Sequence, residues 1–386
     1  MSKSIYLDYA ATTPMRPQVR EAMAPYLGAE FGNPSSIHSH GRAAHVAVET
    51  ARRRVLEALS ASTGRLIFTG SGSEADNLAI LGFARRHPDG CVVRSSIEHK
   101  AVTEATRALG AGGYDVRVAP VDSRGVLDAE ALPGLLPGDD RPTLVSVMWA
   151  NNETGVIQPV GKVAALCRQH RAVFHSDAIQ VLGKLPFQLD EVQIGLLSLS
   201  AHKLGGPKGV GALLVRGDIE LEPLIYGGGQ EGGLRAGTEN VAGIVGFAEA
   251  ATIAAAELDE EAAAWRSLRD RLQAGLCAAL PEIAVNGGDA PERLPNVLNI
   301  SVPDVDIEGL LTSLDLEGIC VSSGSACTTG SVEPSHVIKA MGREGDLARN
   351  TIRLSIGWGT KAADIEYVLE KFPRLVQRVR EFRAPS

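Results

Sequence analysis

The stretch LLSLSAHK (196–203) decides how this chain folds, because it has the pattern of a buried strand that ends in a lysine. A glycine-rich turn, LGGPKGVG (204–211), follows it directly. Lysine is rarely buried without a purpose. One purpose is covalent attachment to an aldehyde cofactor, where desolvation lowers the pKa of the amine and frees it to react. Taken alone, the segment is equally consistent with Lys203 extending its ammonium group to solvent at a loop entrance.

The segments around this stretch alternate between short apolar runs and amphipathic runs. This order favours an α/β fold with a mainly parallel sheet covered by helices. In such a sheet, ligands bind beyond the carboxyl ends of the strands. The spacing predicts helices over 74–86 and 160–170, and strands over 65–69, 91–95, 143–149, 172–176 and 196–200.

A change of composition after residue 280 indicates a second, smaller structural unit. One long Ala-rich and Glu-rich helix is predicted over 243–279, and prolines and glycines follow it. The next region contains a predicted strand over 297–302, a helix near 307–314 and a closing helix over 363–382. We therefore predict a large cofactor-binding domain over residues 15–255. A small α+β domain would combine residues 1–14 with residues 256–386.

Composition excludes several classes of function. The 386 residues carry a formal net charge of -8 with both signs interspersed, which argues against a nucleic-acid or acidic-membrane partner. No stretch approaches the ~20 apolar residues of a membrane span, and the first residues lack the apolar core of a signal peptide. The five cysteines include no Cys-x-x-Cys pair, so neither a disulfide framework nor a metal site is predicted. A reducing cytoplasm fits best.

Two polar residues after the strand over 172–176 are candidates for gripping a cofactor ring. Asp177 can pair with a pyridinium nitrogen and keep that ring protonated. Gln180, three residues on, can reach the phenolic oxygen of the same ring. The alternative is that Asp177 caps the following helix, and one carboxylate does not easily serve both roles.

A phosphate site is predicted at TGSGSEA (69–75), between a strand and a helix. Small residues let the backbone approach an anion, and the helix start offers unpaired N–H groups. The same run matches the loose dinucleotide pattern G-x-G-x-x-A, but the acidic residue expected after the next strand is missing, since Asp89 precedes that strand. His99 follows the same strand and faces the predicted site, where it can stack on a ring or carry a proton. A surface histidine without such a role is the alternative.

The run VSSGSACTTGS (321–331) holds one thiol, Cys327, among small polar residues. A nucleophilic cysteine that must travel between a buried site and an external acceptor belongs on such a loop. Cys91 and Cys167, by contrast, lie among apolar neighbours and are expected to be structural. The alternative is an inert thiol in a linker.

Together these segments resemble the cysteine desulfurases of the class V aminotransferase family, in the group with a long cysteine-bearing loop. The resemblance covers almost the whole chain. It implies the fold of type I pyridoxal-phosphate enzymes, with a mainly parallel seven-stranded sheet between helices and a smaller α+β domain. The motifs that carry it are YLDYAATT (6–13), FGNPSS (31–36), ANNETG (150–155), LSAHK (199–203), RAGTEN (235–240), SSGSACTTGS (322–331) and EPSH (333–336).

The resemblance implies that the cofactor is pyridoxal 5'-phosphate, the substrate is L-cysteine, and a persulfide forms on Cys327. It further implies a homodimer and a sulfur-acceptor protein, such as an iron–sulfur scaffold or a sulfur carrier. A selenocysteine lyase or another class V enzyme is the alternative, and a non-catalytic docking scaffold is a third possibility.

By resemblance, the catalytic residues are Cys327, Lys203 and His99. The cofactor residues are Lys203, Asp177, Gln180, His99, Gly72, Ser73, Ser200, His202, Asn152 and Thr238, the last from the partner subunit. The substrate carboxylate falls to Arg353 and Asn152.

Overall fold

The computed structural model describes residues 4–187, 189–323 and 334–383. The strands are β1 Ile5–Tyr6, β2 Arg65–Thr69, β3 Cys91–Ser95, β4 Asp115–Ala119, β5 Thr143–Ser146, β6 Val173–Asp177, β7 Leu196–Ser200, β8 Gly211–Val215, β9 Ala284–Val285, β10 Val297–Ser301, β11 Ile319–Cys320 and β12 Thr351–Ser355. The helices are α1 Pro17–Met23, α2 Ser39–Ala58, α3 Gly72–Arg86, α4 Lys100–Ala111, α5 Val160–Gln169, α6 Val241–Ala256, α7 Leu258–Ala279, α8 Ile307–Leu316, α9 His336–Ala340, α10 Gly345–Arg349 and α11 Ala362–Arg383.

A seven-stranded sheet in the order β2-β8-β7-β6-β5-β3-β4 forms the centre of the molecule. The strands from β7 to β4 pair in parallel, whereas β8 pairs antiparallel with both β2 and β7. Every residue of β7 and β8 is buried, as expected for strands covered by helices on both faces. The α/β fold class with a mainly parallel sheet is thus confirmed.

Of the eleven strands and helices that the sequence predicted, nine lie within two residues of their observed bounds, and one strand is predicted too long. The strand predicted over 143–149 ends at Ser146. Beyond it, the N–H groups of Val147 and Trp149 still donate to the carbonyls of His175 and Asp177, at 3.1 and 2.9 Å. The chain therefore continues beside β6 toward the site without regular strand geometry.

A second apolar core lies apart from the sheet. It contains β1, the three-stranded antiparallel sheet β12-β10-β9, and helices α7, α8 and α11. Leu276, Leu310 and Phe372 are fully buried in it. The N-terminal strand joins this core because β1 pairs with β11. The division into residues 15–255 and 1–14 with 256–386 remains a proposal, which these two cores support.

The single helix predicted over 243–279 is wrong. The chain forms α6 and α7 instead, bent by 73° at Glu257. Phe247 on α6 belongs to the core of the large sheet, whereas Leu272 on α7 belongs to the second core, so one straight helix could not serve both. At the bend, the buried Arg16 donates to Glu257 and Glu261, each at 2.6 Å.

None of the described helices is by itself long and apolar enough to cross a membrane. Only the bent pair of α6 and α7, taken together, meets that criterion by length and composition.

Gly357 lies where any side chain would collide with a fixed ring. A Cβ there would sit 2.0 Å from Tyr9 Cδ1, and the Tyr9 hydroxyl accepts a bond from the Gly359 N–H at 3.2 Å. We expect Gly357→Ala to lower the free energy of unfolding by about 2 kcal/mol through this overpacking. Urea unfolding of the cofactor-free protein measures the change.

The matched control is Gly161→Ala, in the first turn of α5, where nothing lies within 4 Å of an added Cβ. It should leave stability unchanged or raise it by up to about 1 kcal/mol, since alanine favours helix more than glycine does. Equal losses in the two variants would contradict the steric explanation.

Candidate active site

A cavity of about 1030 Å³ lies at the carboxyl ends of β6 and β7. Because these strands are parallel neighbours, with Asp177 opposite Ser198, the residues that follow them meet at one edge of the sheet. Ten of the predicted site residues line this cavity: Gly72, Ser73, His99, Asn152, Asp177, Gln180, Ser200, His202, Lys203 and Arg353.

Two predicted residues are not among them. Thr238 is exposed and lies outside the cavity lining, and the family resemblance implies that it contributes to the partner's site. Cys327 lies outside the described residues. Ser323 and Pro334, the described residues on either side of its segment, both line the cavity.

Lys203 presents its amine to the cavity from the short 3-10 turn after β7. Its Nζ donates to the backbone carbonyls of Ala10 and Ala11, both at 2.7 Å. Burial, and to a lesser extent the nearby charge of Arg353, lower the pKa of Lys203 to about 8, while the charge of Asp177 opposes the shift. A large fraction of the amine is therefore neutral, and nucleophilic, only slightly above neutral pH.

Asp177 is buried at the end of β6. One of its oxygens, Oδ1, accepts from the backbone N–H of Ile179 at 2.9 Å. Burial raises the pKa of Asp177, and the Ile179 N–H and the Lys203 charge limit that rise. The sequence treated capping and ring binding as competing roles. The two carboxylate oxygens of Asp177 can serve these roles separately. Oδ1 accepts the Ile179 N–H in the turn, and Oδ2 remains available to another donor.

His99 caps the N-terminus of helix α4 and is neutral near pH 7. The N–H of Ala101 donates to His99 Nδ1 at 3.1 Å, so the single proton of the neutral ring resides on Nε2. Burial lowers the pKa of His99 to about 4, helped by the charges of Lys203 and Lys100. His99 therefore offers the cavity a hydrogen-bond donor, not a cation.

The predicted phosphate site lies at the start of α3. Ser71 Oγ accepts from the N–H of Glu74 at 3.1 Å, and Glu74 Oε2 accepts from the N–H of Gly70 at 2.8 Å. This capping arrangement leaves the N–H groups of Gly72 and Ser73 at the helix start without partners inside the helix. A Cβ on Gly72 would sit 2.3 Å from Ile179 Cδ1, so a larger residue there would require the Ile179 side chain to move.

Arg353, on β12, is held by two contacts. Its Nη1 donates to the backbone carbonyl of Asn152 and its Nη2 to Asp8 Oδ1, each at 2.9 Å. The Nε of the same guanidinium is buried and has no hydrogen-bond partner among the described residues. The contact with Asn152 thus uses its backbone, and the guanidinium is fixed in orientation at the cavity wall.

Several residues at the site had no predicted role. Asp8 lies within the quoted motif 6–13, and Glu153 directly follows Asn152, so both could have been found by position. Glu153 accepts from Ser335 Oγ at 2.5 Å, and burial raises its pKa to about 7. Asp76 and Lys184 are buried polar residues, and the residues next to them in the sequence do not indicate that burial.

One acidic cluster in the described part of the chain has the spacing of metal ligands. Single ligand atoms of Asp76, His99 and Asp177 lie within 4.8 Å of one another. Asp177 and His99 also belong to the predicted ring site, so the same cluster is explained by a cofactor with a basic ring nitrogen.

A family model described as "Aminotransferase class-V" matches residues 5–368. The chain belongs to the class-V aminotransferase family. It is 42% identical over 382 residues to a protein of Dictyoglomus turgidum named "Cysteine desulfurase IscS", covering 98% of this chain and 96% of that relative. A relative of Methanosarcina thermophila with the same name is 41% identical, with 98% and 93% covered. A NifS-like protein from Rickettsia africae has a solved structure that superposes with a TM-score of 0.89 at 33% identity, covering 97% of this chain and all of that one.

Members of the class-V aminotransferase family use pyridoxal 5'-phosphate, and it is the cofactor of this chain. The residues present fit it. The cavity combines an amine of lowered pKa, a buried carboxylate with one oxygen uncommitted, and a helix start whose first N–H groups lack partners inside the helix. These match the aldehyde, the ring nitrogen and the phosphate of that cofactor in chemical type.

The lowered pKa of Lys203 can be measured by competitive acetylation of the cofactor-free protein across pH, followed by mass spectrometry of the modified peptide. We expect the reactivity of Lys203 to rise with a midpoint near pH 8 and not near its ordinary value of 10.5. Asp177→Asn should move the midpoint lower, because the carboxylate stabilises the ammonium form. A midpoint at or above 10 in the unsubstituted protein would show that the amine is not desolvated.

Proposed function

We propose that this chain is a cysteine desulfurase. It takes the sulfur of L-cysteine onto Cys327 as a persulfide and releases L-alanine. The observation that carries the proposal is that Lys203 and Asp177 share one cavity with Ser323 and Pro334, the described residues that flank the Cys327 segment. The relatives named cysteine desulfurase support the same activity.

The chain's own residues divide the work of binding and proton transfer. When bound, pyridoxal 5'-phosphate withdraws electrons from the substrate's α-carbon. Asp177 keeps the ring nitrogen protonated, and Gln180 donates to the phenolic oxygen. Lys203 would hold the cofactor covalently, and its Nζ would take the α-proton of the substrate, which its lowered pKa permits.

The remaining predicted residues bind the carboxylate of the substrate and the phosphate of the cofactor. Arg353 and Asn152 bind the substrate carboxylate, for which a fixed guanidinium is suited. The phosphate of the cofactor is bound by Gly72, Ser73, Ser200 and His202, and by Thr238 of the other subunit.

Sulfur transfer is a nucleophilic displacement at sulfur. The Cys327 thiolate forms an S–S bond with the substrate sulfur, the substrate C–S bond breaks, and protonation of the carbon product yields alanine. An ordinary thiol titrates near ~8.5, so the thiolate needs stabilisation at neutral pH. The Nε2–H of His99, a neutral donor facing the cavity, supplies it in this scheme.

A homodimer follows from the assignment of Thr238. Thr238 is exposed and is not among the residues that line the cavity of its own chain, which is consistent with a second copy supplying it. Leu27, Phe31 and Ile37 are 72%, 74% and 91% exposed, and in this proposal the partner subunit covers them. A sulfur-acceptor protein, for iron–sulfur cluster assembly or other sulfur transfer, and a cytoplasmic location complete the proposal.

Cys327→Ala should abolish sulfide release from cysteine while leaving the visible absorption of the bound cofactor intact, because the thiol acts on sulfur and not on the ring. Mass spectrometry after incubation with cysteine should find one added sulfur on the Cys327 peptide of the unsubstituted protein. Cys320→Ala, seven positions earlier in the chain and partly exposed, is the matched control and should keep both activity and label. Persistent turnover in Cys327→Ala would favour a selenocysteine lyase or another class V activity.

The shared site can be tested by mixing two inactive variants. Lys203→Ala lacks the attachment point, and Thr238→Arg blocks the contribution to the partner's phosphate site. Random pairing makes about half the dimers hybrid, and each hybrid has one intact site of two, so about a quarter of full activity should return. Activity that does not return after subunit exchange, verified by native mass spectrometry, would place both residues in one subunit's site.

A further inference from the structure

Lys184 is the one buried lysine of the described chain to which no role has been assigned. It is 4% exposed and lies seven residues after Asp177. The turns between them are held by backbone bonds from Val181 to Ala178 and from Lys184 to Val181, each at 2.9 Å. Asp177, at the end of β6, is thus followed by Gln180 and Lys184 along a short segment of turns.

The Lys184 amine makes two contacts, and both lead to the active site. Its Nζ lies 3.5 Å from Gln180 Oε1 and 3.4 Å from the backbone carbonyl of Lys203. Both acceptors are neutral oxygens, and both distances are long for hydrogen bonds. A buried ammonium with such partners is costly, and burial together with the Lys203 charge lowers the pKa of Lys184 to about 7.

These contacts are part of a closed ring of hydrogen bonds. Gln180 Nε2 donates to the Ala10 carbonyl at 2.9 Å, and the same carbonyl accepts from Lys203 Nζ at 2.7 Å. The ring therefore runs from Lys184 to Gln180, to Ala10, to Lys203, and back to Lys184. Since the Ala10 carbonyl can only accept, and an ammonium can only donate, the Gln180 amide has one orientation in which both ends are satisfied.

We propose that Lys184 is a positioning residue of the active site, whose side-chain amine fixes the amide of Gln180 and the backbone of Lys203. The proposal rests on the proposed function in so far as Gln180 and Lys203 bind the cofactor. It explains why a lysine with no carboxylate among its hydrogen-bond partners is kept inside the protein. When both amines are protonated they repel each other, as the effect of Lys203 on the pKa of Lys184 reflects, so Lys184 acts on the donor to the ring oxygen and, where it is charged, on the protonation of Lys203.

The test is the affinity for pyridoxal 5'-phosphate in Lys184→Met, measured by equilibrium dialysis, with the pH midpoint of the bound cofactor's visible absorption. Methionine keeps the length of the side chain and removes both donor and charge. Because the Lys184 amine then no longer fixes the Gln180 amide, the cofactor Kd should rise by about tenfold. Loss of a like charge beside Lys203 should move the absorption midpoint to higher pH.

A further variant distinguishes the loss of the hydrogen-bond donor from the loss of the charge, and a second serves as a control. Lys184→Gln keeps N–H donors without the charge, so it should bring the cofactor Kd back to within about threefold of the unsubstituted protein while the midpoint stays displaced. It also carries the test if Lys184→Met does not fold. Lys162→Met, at an exposed lysine paired with Glu130, is the matched control and should change neither quantity.

A Kd and an absorption midpoint in Lys184→Met equal to those of Lys162→Met would overturn the proposal. So would a loss of stability in the cofactor-free protein without any change in the Kd of the folded fraction. Cofactor binding is measured here without cysteine, so the result is separate from the activity. A protein that binds the cofactor but forms no persulfide would contradict the proposed function and leave the role of Lys184 standing.

Discussion

Burial of an amine and a carboxylate at the ends of two neighbouring parallel strands is the constraint on which this site depends. Removing Lys203 and Asp177 from water is unfavourable for both charged forms. The fold compensates with local donors and acceptors, namely the carbonyls of Ala10 and Ala11 for the amine and the N–H of Ile179 for the carboxylate. The result is a pair whose charge states are set before any cofactor binds, which is the preorganisation that catalysis needs.

The N-terminal segment connects that pair to the rest of the molecule. Leu7 belongs to the second core, whereas Ala10 belongs to the core of the large sheet. Between them, Asp8 bonds Arg353 on β12. A few residues thus carry the acceptors for Lys203 and the orienting carboxylate for Arg353, so the site is complete only where the two cores meet. This explains why residues at both ends of the sequence line one cavity.

Local patterns predicted those parts of the site that one segment determines alone. Lys203 and Asp177 each follow an apolar run, and strand ends in a parallel sheet converge, so their meeting could be expected. Lys184 and Asp76 could not be found this way, because their burial depends on contacts between distant segments. The bend at Glu257 escaped prediction for the same reason: helix propensity is continuous through it, and the two cores on which its halves pack are not visible in the local sequence.

The two aspartates beneath the cavity show how position sets chemistry for one residue type. Burial raises the pKa of both Asp76 and Asp177. Asp177 has a backbone N–H and the Lys203 charge to stabilise its ionised form, while Asp76 has the Asp177 charge against it. Two carboxyl groups this close do not ionise equally, so the proton resides preferentially on Asp76 and the negative charge on Asp177. The carboxylate that faces the cavity is therefore the one able to hold a protonated ring nitrogen.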